Sequence, residues 1–291
     1  MFDRASLAAL SAVLDSGSFE FAAARLNVSQ SAVSQRIKKL EDQIGAILVR
    51  RTRPATATAA GRRLQAHAET LNLLERDITR AMGQAPGRLD RPLRIAVTAD
   101  TLASWVLPAL PKEDRLFYDL VIDDQDHSAD LLLQGEVAAA VTSRKTALTG
   151  CDVIPLGPLR YGAFASPGFA ATYFADGITV AALEHAPALT FNRKDRLQMT
   201  WASHVAGRAV TALPTHYIPS THGITEAARV GMGWAVNPLP LVQPLFDTGD
   251  LVRLRPDVPL ETPLYWQVPR QNKAVLAGLT QSLTRYAKQQ G

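Results

Sequence analysis

The sequence predicts an α/β protein built in two unequal parts: a small helical head carrying a winged helix-turn-helix, then a long helix leading into a larger region of strands alternating with helices. Three observations predict it. The first is a pair of capped helical patterns joined by a three-to-four residue turn between Ser18 and Glu41. The second is a run from Ala59 to about Met82 without proline and with apolar residues spaced by three and four. The third is the change of period beyond Pro92, where short runs rich in β-branched and aliphatic residues alternate with helical stretches.

Residues Asp3 to Ser16 place Leu7, Leu10 and Leu14 on one helical face, and Gly17 supplies a stop. Ser18 to Leu26 repeats Phe19, Ala22, Ala23 and Leu26 with helical spacing, and its alanines permit close approach of another helix. Asn27 and Val28 form the turn. Ser29 then caps a helix in which Val33, Ile37, Leu40 and Ile44 fall on the core side. The opposite face carries Ser31, Ser34, Gln35 and Lys38, with Gln30 at the leading end and Arg36 and Lys39 on the flanks. Glutamine can pair bidentately with adenine, serine hydroxyls serve several base edges, and lysine or arginine reach guanine or phosphate. A polar helix face alone is usually solvated surface; the preceding helix and turn make this one a recognition helix for the major groove.

From Ala46 to Gly61 the sequence AILVRRTRPATATAAG reads as a short apolar strand, a basic turn broken by Pro54 and a threonine-rich return. In a wing, Arg50, Arg51, Thr52 and Arg53 would flank the recognition helix and meet phosphates or the minor groove; a solvated basic loop is the alternative. Charge supports the first reading. The chain of 291 residues has a formal net charge of +4. Residues 1–83 hold twelve Lys or Arg against eight Asp or Glu, and the rest of the chain holds nineteen of each. Between Gln30 and Arg63 the ratio is eight to two, so the front of the molecule is suited to a polyanion.

Leu64, His67, Leu71, Leu74, Ile78 and Ala81 form the seam of the long helix. A second copy covering that seam would make a dimer with two recognition helices and an operator of two-fold related half-sites; packing on its own domain is the alternative. Gly83, Pro86, Gly87 and Pro92 mark a hinge. Strand-like runs follow at Leu93–Thr98, Asp119–Asp123, Val137–Thr142, Ala188–Phe191 and Trp234–Val236, and helical stretches at Leu102–Leu110 and Ser128–Gln134, implying mostly parallel sheet.

No apolar run approaches the roughly 20 residues that span a bilayer, and no export signal opens the chain, so a cytoplasmic protein without a membrane partner is expected. The single cysteine, Cys151, rules out an intrachain disulfide and a cysteine-rich metal site. There is no P-loop, GxSxG or HExxH, and His67, His127, His185, His204, His216 and His222 are scattered. These absences argue against an enzyme with a DNA-binding head, and the missing export signal together with that head argues against a solute-binding transport component.

The stretch SFEFAAARLNVSQSAVSQRIKKLEDQIG, followed by Arg51, Thr52, Pro54, Thr58 and Gly61, resembles the head of LysR-type transcriptional regulators. VTADTLASWVLPAL at Val97–Leu110, the acidic pair Asp123 and Asp124 before QGEVAAAV, and LYW at Leu264–Trp266 resemble the ArgP/LysG-type branch, which responds to lysine or arginine. The wing departs from the commonest pattern, with Val49, Arg50 and Arg51 in place of Phe-x-Arg, but matches the branch form.

That resemblance implies a winged helix-turn-helix over residues 1–58, a dimerisation linker helix over 59–83, a hinge over 84–91 and a periplasmic-binding-protein-like effector domain over 92–291. The effector domain would have one lobe at about 92–160 and 267–291 and a second at about 161–266, with crossings near Arg160–Ser166 and Leu264–Val268. Between the lobes, Thr98, Asp100, Thr101 and Ser104 follow the first strand, where backbone N–H groups could receive an amino acid's carboxylate. Asp123 and Asp124 end the second strand and Thr142 and Ser143 the third; Phe191, Asn192, Ser220, Thr221 and His222 face them across the cleft. A basic effector needs acidic partners for its α-ammonium and distal cation. Asp100 has a competing role as a helix N-cap, and Asp123 or Asp124 as a solvated strand end. The resemblance further implies a homotetramer, no cofactor beyond the effector, contact with RNA polymerase if the protein activates, and control of a basic-amino-acid exporter gene; a LysR-type sensor of another small metabolite is the alternative.

Overall fold

Each of the three hydroxyl or carboxylate residues at the head's helix starts accepts a hydrogen bond from the turn it caps. In a computed structural model describing residues 1–84, 92–112, 117–122 and 128–290, Asp3 caps α1 (Arg4–Ser16), Ser18 caps α2 (Phe19–Leu26) and Ser29 caps α3 (Gln30–Ile44). Such caps contribute about 1 kcal/mol each. Asn27 takes a left-handed φ of 51° between α2 and α3, so two helices can be joined within three residues. Leu7, Leu10, Val13, Ala22, Ala23, Val33, Ile37 and Leu40 form the head's core. Ile44, expected on that face, is 36% exposed because the last turn of α3 runs past the core.

The wing is a short antiparallel pair, β1 (Val49–Arg50) and β2 (Thr56–Ala57), with Val49 opposite Ala57. Glu41 on α3 holds its root, since Oε1 accepts from the Leu48 N–H at 2.8 Å. The linker helix, α4 (Ala59–Ala81), leaves from the wing with Gly61 against the Leu48 carbonyl. A Cβ at Gly61 would lie 2.1 Å from that oxygen, so no larger residue fits without moving the wing.

Leu64 and Ala68 of α4 belong to the head's core, whereas Leu73 belongs to the core of the following domain. Leu71, Leu74, Ile78 and Met82 form an exposed stripe. Packing within the chain is thus seen on one side of this helix, while the side expected to meet a second copy is left uncovered in the single chain. The expected hinge falls almost wholly on residues 85–91, outside the described residues.

Beyond it come β3 (Leu93–Val97), α5 (Ala99–Thr101), a π-helical turn (Leu102–Val106), α6 (Leu107–Ala109), β4 (Tyr118–Ile122), α7 (Ser128–Leu133), β5 (Ala139–Thr142) and the long β6 (Cys151–Ala165). Then follow α8 (Pro167–Tyr173), α9 (Val180–His185), β7 (Ala188–Thr190), α10 (Leu197–Ala206), β8 (Thr215–Tyr217), α11 (Thr221–Arg229), β9 (Trp234–Pro238), α12 (Leu239–Asp247) and β10 (Val252–Leu254). Finally β11 (Leu260–Pro269) returns alongside β6, and α13 (Ala277–Gln290) packs behind it, where the Trp266 indole N–H donates to Thr280 at 3.0 Å. The expected helix at Leu102–Leu110 begins earlier and is broken by the π-helical turn.

The strands order as β4-β3-β5-β11-β6-β9-β7-β8, with β10 on β6. Pairing is parallel among β3, β4 and β5, and among β7, β8 and β9. The two groups are joined by the antiparallel pair β6 and β11. Tyr265–Gln267 pairs with β5 on one side, while Tyr161–Phe164 pairs with β9 on the other, so the two strands step from lobe to lobe. They are longer than the sequence suggested, because the β6 pairing with β11 already begins at Cys151.

Candidate functional site

On α3 the residues meant for base edges face away from the core. Gln30, Ser31, Gln35, Lys38 and Lys39 are exposed, and Ser34 and Arg36 are half-buried at the margins. Ser29 differs: its hydroxyl accepts from the Ala32 N–H at 3.2 Å and pairs with the Ser31 hydroxyl at 2.9 Å, so its first task is to start the helix. Lys39 lies 4.0 Å from the Asp3 carboxylate, on the flank toward α1. Arg51, Thr52 and Arg53 are exposed at the wing tip. There Thr52 donates to the Pro54 carbonyl at 2.7 Å, closing the turn, and the Arg51 guanidinium lies over the Phe19 ring, 4.8 Å from its centroid.

The second candidate site centres on Asp100. Thr98, not Asp100, caps α5: its hydroxyl accepts from the Thr101 N–H at 3.2 Å. That leaves the Asp100 carboxylate free to reach across the domain. One oxygen accepts from the Tyr161 hydroxyl on β6 at 2.9 Å, and the other from the Thr221 hydroxyl at the start of α11 at 3.2 Å. Three parts of the domain therefore meet on one acid. Burial pushes the Asp100 carboxyl above the ordinary carboxylate range; the two hydroxyls oppose that push, and the nearby charge of Asp195 adds to it. Burial also raises the Tyr161 phenol, with the Asp100 charge reinforcing it.

Thr221 is itself fixed from behind, because its carbonyl accepts from the Asn237 amide at 3.0 Å and from the Thr225 hydroxyl at 3.1 Å. Tyr161 and Asp195 escape a sequence reading. Tyr161 lies in a strand pattern that gives no hint of facing Asp100. Asp195 sits in an Asx turn, where Asn192 accepts from the N–H groups of Lys194 and Asp195 and Asp195 accepts from those of Phe191 and Leu197.

The remaining expected residues are placed less directly. Thr101 is fully buried, its hydroxyl turned back to the Thr98 carbonyl at 3.0 Å, and Ser104 donates to the Asp100 carbonyl at 2.6 Å. The Thr142 hydroxyl accepts from the Arg144 N–H, and Ser143 follows it half-buried. Asn192 has its carbonyl oxygen committed to the Asx turn, and His222 is exposed beside Thr221. Asp123 and Asp124 lie outside the described residues. So the structure joins Asp100 to Thr221 and adds Tyr161, while Thr101 and Asn192 serve the local backbone.

Two family profiles match the chain: the bacterial regulatory helix-turn-helix protein, lysR family, over residues 5–62, and the LysR substrate binding domain over residues 86–288. The chain is similar to the lysine export transcriptional regulatory protein LysG of Corynebacterium glutamicum, with 37% identity over 279 residues and 94% of each chain covered. It is also similar to the crystal structure of ArgP from Mycobacterium tuberculosis, at 42% identity and a TM-score of 0.80, covering 97% of this chain and 96% of that one. A third likeness is to full-length LysG from Corynebacterium glutamicum with bound effector Arg, at 34% identity and a TM-score of 0.72, covering 99% of this chain and 98% of that one. Among the described residues, no helix is long and apolar enough to cross a membrane.

Proposed function

The chain belongs to the LysR family of DNA-binding transcriptional regulators, and from that premise we propose that its effector is a basic amino acid, arginine or lysine, received at the cleft around Asp100. The observation that carries the proposal is the half-buried Asp100 carboxylate, whose hydrogen-bond partners are two neutral hydroxyls. An anion largely withdrawn from water and without a cation is costly, and an ammonium or guanidinium arriving beside it would relieve that cost. The ArgP and LysG names of the similar proteins, and the Arg bound to one of them, support the same class of ligand.

Asp100 receives the α-ammonium in this reading, backbone N–H groups at the start of α5 receive the carboxylate, and Asp123 and Asp124 answer the distal cation. The α3 face and the wing tip contact operator DNA. Two copies paired through the exposed stripe of α4 present two such faces to two-fold related half-sites, and two dimers form a tetramer. Its target includes a basic-amino-acid exporter gene, its place is the cytoplasm, and activation would run through RNA polymerase. Control requires the effector to bind one arrangement of the dimers more tightly than another.

Titration calorimetry of the full chain tests the ligand class. Arginine and lysine are expected to bind, norleucine and citrulline, which lack the distal cation, to bind far more weakly, and D100N to abolish the response. Equal binding of the neutral analogues, or unaltered binding by D100N, points instead to a LysR-type sensor of another metabolite.

A further inference from the structure

The wing has a two-pair ladder, Val49 with Ala57 and Arg50 with Thr56, which is little to hold a basic tip in one place. Glu41 holds its root, and what steadies the tip comes from α2 and the turn before that helix. The Ala55 N–H donates to the Gly17 carbonyl at 2.8 Å. One residue beyond the Ser18 cap, Phe19 packs its side chain against the head's core and lies beneath the Arg51 guanidinium, 4.8 Å from ring centroid to Cζ. An arginine stacks on a ring through its flat face, and its N–H donors lie along the edges.

We propose that Phe19 is a positioning residue for DNA binding: its ring seats Arg51 in advance so that the guanidinium edge meets a backbone phosphate. An unseated arginine loses much rotamer freedom on contact, and a seated one has already lost it. The inference rests on the reading that the wing touches DNA. Phe19 itself touches no DNA in this account, and its effect passes entirely through Arg51.

A double-mutant cycle on the full chain tests it, using a fluorescein-labelled random-sequence duplex at low salt so that phosphate contacts alone are read. F19L keeps apolar bulk and removes the ring; it is expected to weaken binding about three- to fivefold, with F19W restoring it. In an R51A background, F19L is expected to add nothing. Equal losses in both backgrounds, or no loss in either, overturn the proposal, because Phe19 would then act on the fold alone or not at all. Should R51A by itself leave DNA affinity unchanged, the reading of the wing fails first, and that outcome is distinct. If F19L melts below the assay temperature, F19M takes its place in the same cycle.

Discussion

Thr70 of the linker helix and Asn272, just beyond β11, share a buried hydrogen bond of 2.9 Å across 202 positions of sequence. The Asn272 amide also donates to the Ala138 carbonyl at 3.1 Å, so a single side chain ties α4 to the entry of β5. Nearby, a Cβ at Gly135 would stand 2.5 Å from that of Ala66, which shows how closely the lobe approaches the helix. The Arg62 and Glu136 side chains meet at 3.4 Å along the same seam. Through this seat the effector domain rests on the helix that leaves the DNA-binding head.

Replacing Asn272 with alanine leaves the buried Ala138 carbonyl without that donor, a loss of about 1–3 kcal/mol. Thr70→Val costs less, about 1 kcal/mol, since it leaves the shape nearly unchanged and the Ala138 contact intact and takes a donor only from the Asn272 Oδ1. Urea unfolding of both variants should preserve that order. The seat has no energetic role if N272A unfolds at the wild-type midpoint.

A pH profile should reveal Asp100. A carboxyl whose folded value is raised stabilises the fold fully below the unfolded range, and that contribution is lost as pH rises through the raised value. At neutral pH the acid is therefore a cost, and D100N should be at least as stable as the parent there, with the gap closing below about pH 4. A bound cation favours the charged form, so effector affinity should climb with pH across the same window and binding should release a proton. Thermal unfolding against pH, with calorimetry in buffers of different ionisation heat, reads both effects. A D100N variant that is less stable than its parent at pH 7, and equal to it in acid, contradicts this account.

Gln35 and Arg51 should separate cleanly. Loss of a base-edge pair costs about 1–3 kcal/mol of discrimination, so Q35A is expected to weaken operator binding about tenfold while leaving random DNA nearly unaffected. R51A should weaken both and lower the salt slope by about 0.9. Identical losses on operator and random duplex for the two variants would refute the division of labour between helix and wing.

The uncovered stripe on α4 predicts an assembly defect. Leu74 and Ile78 are 37% and 59% exposed in the single chain, and a partner helix would bury them. L74E together with I78E should shift the protein toward monomer in light scattering and reduce operator affinity, while the internal side of α4, with Leu64, Ala68 and Leu73, keeps the fold. A double variant with the parent's molar mass would show that the stripe is not the interface.

Short-range chemistry was legible in the sequence. Ser18 and Ser29 cap because a hydroxyl at a helix start answers an N–H three residues ahead, and Val33, Ile37 and Leu40 are buried because their spacing matches the turn of a helix. The alternation of strands and helices likewise follows from local periodicity and accounts for the parallel pairings, but the mostly parallel sheet it suggested is crossed by the antiparallel pair β6 and β11, which local periodicity does not encode. The expected Ile44 contact failed since the end of a core depends on what packs there, which spacing does not encode.

The tertiary structure alone decided the partners of Asp100. Tyr161 and Thr221 lie 61 and 121 residues from it, and they meet it only because β6 and β11 carry the chain from one lobe to the other. The same holds for Thr70 with Asn272 and for Phe19 with Arg51. A cap or a helical stripe is fixed by neighbours a few bonds away; a half-buried carboxyl or a seated guanidinium is fixed by whatever the folded chain brings beside it, and that is set by packing over the whole molecule.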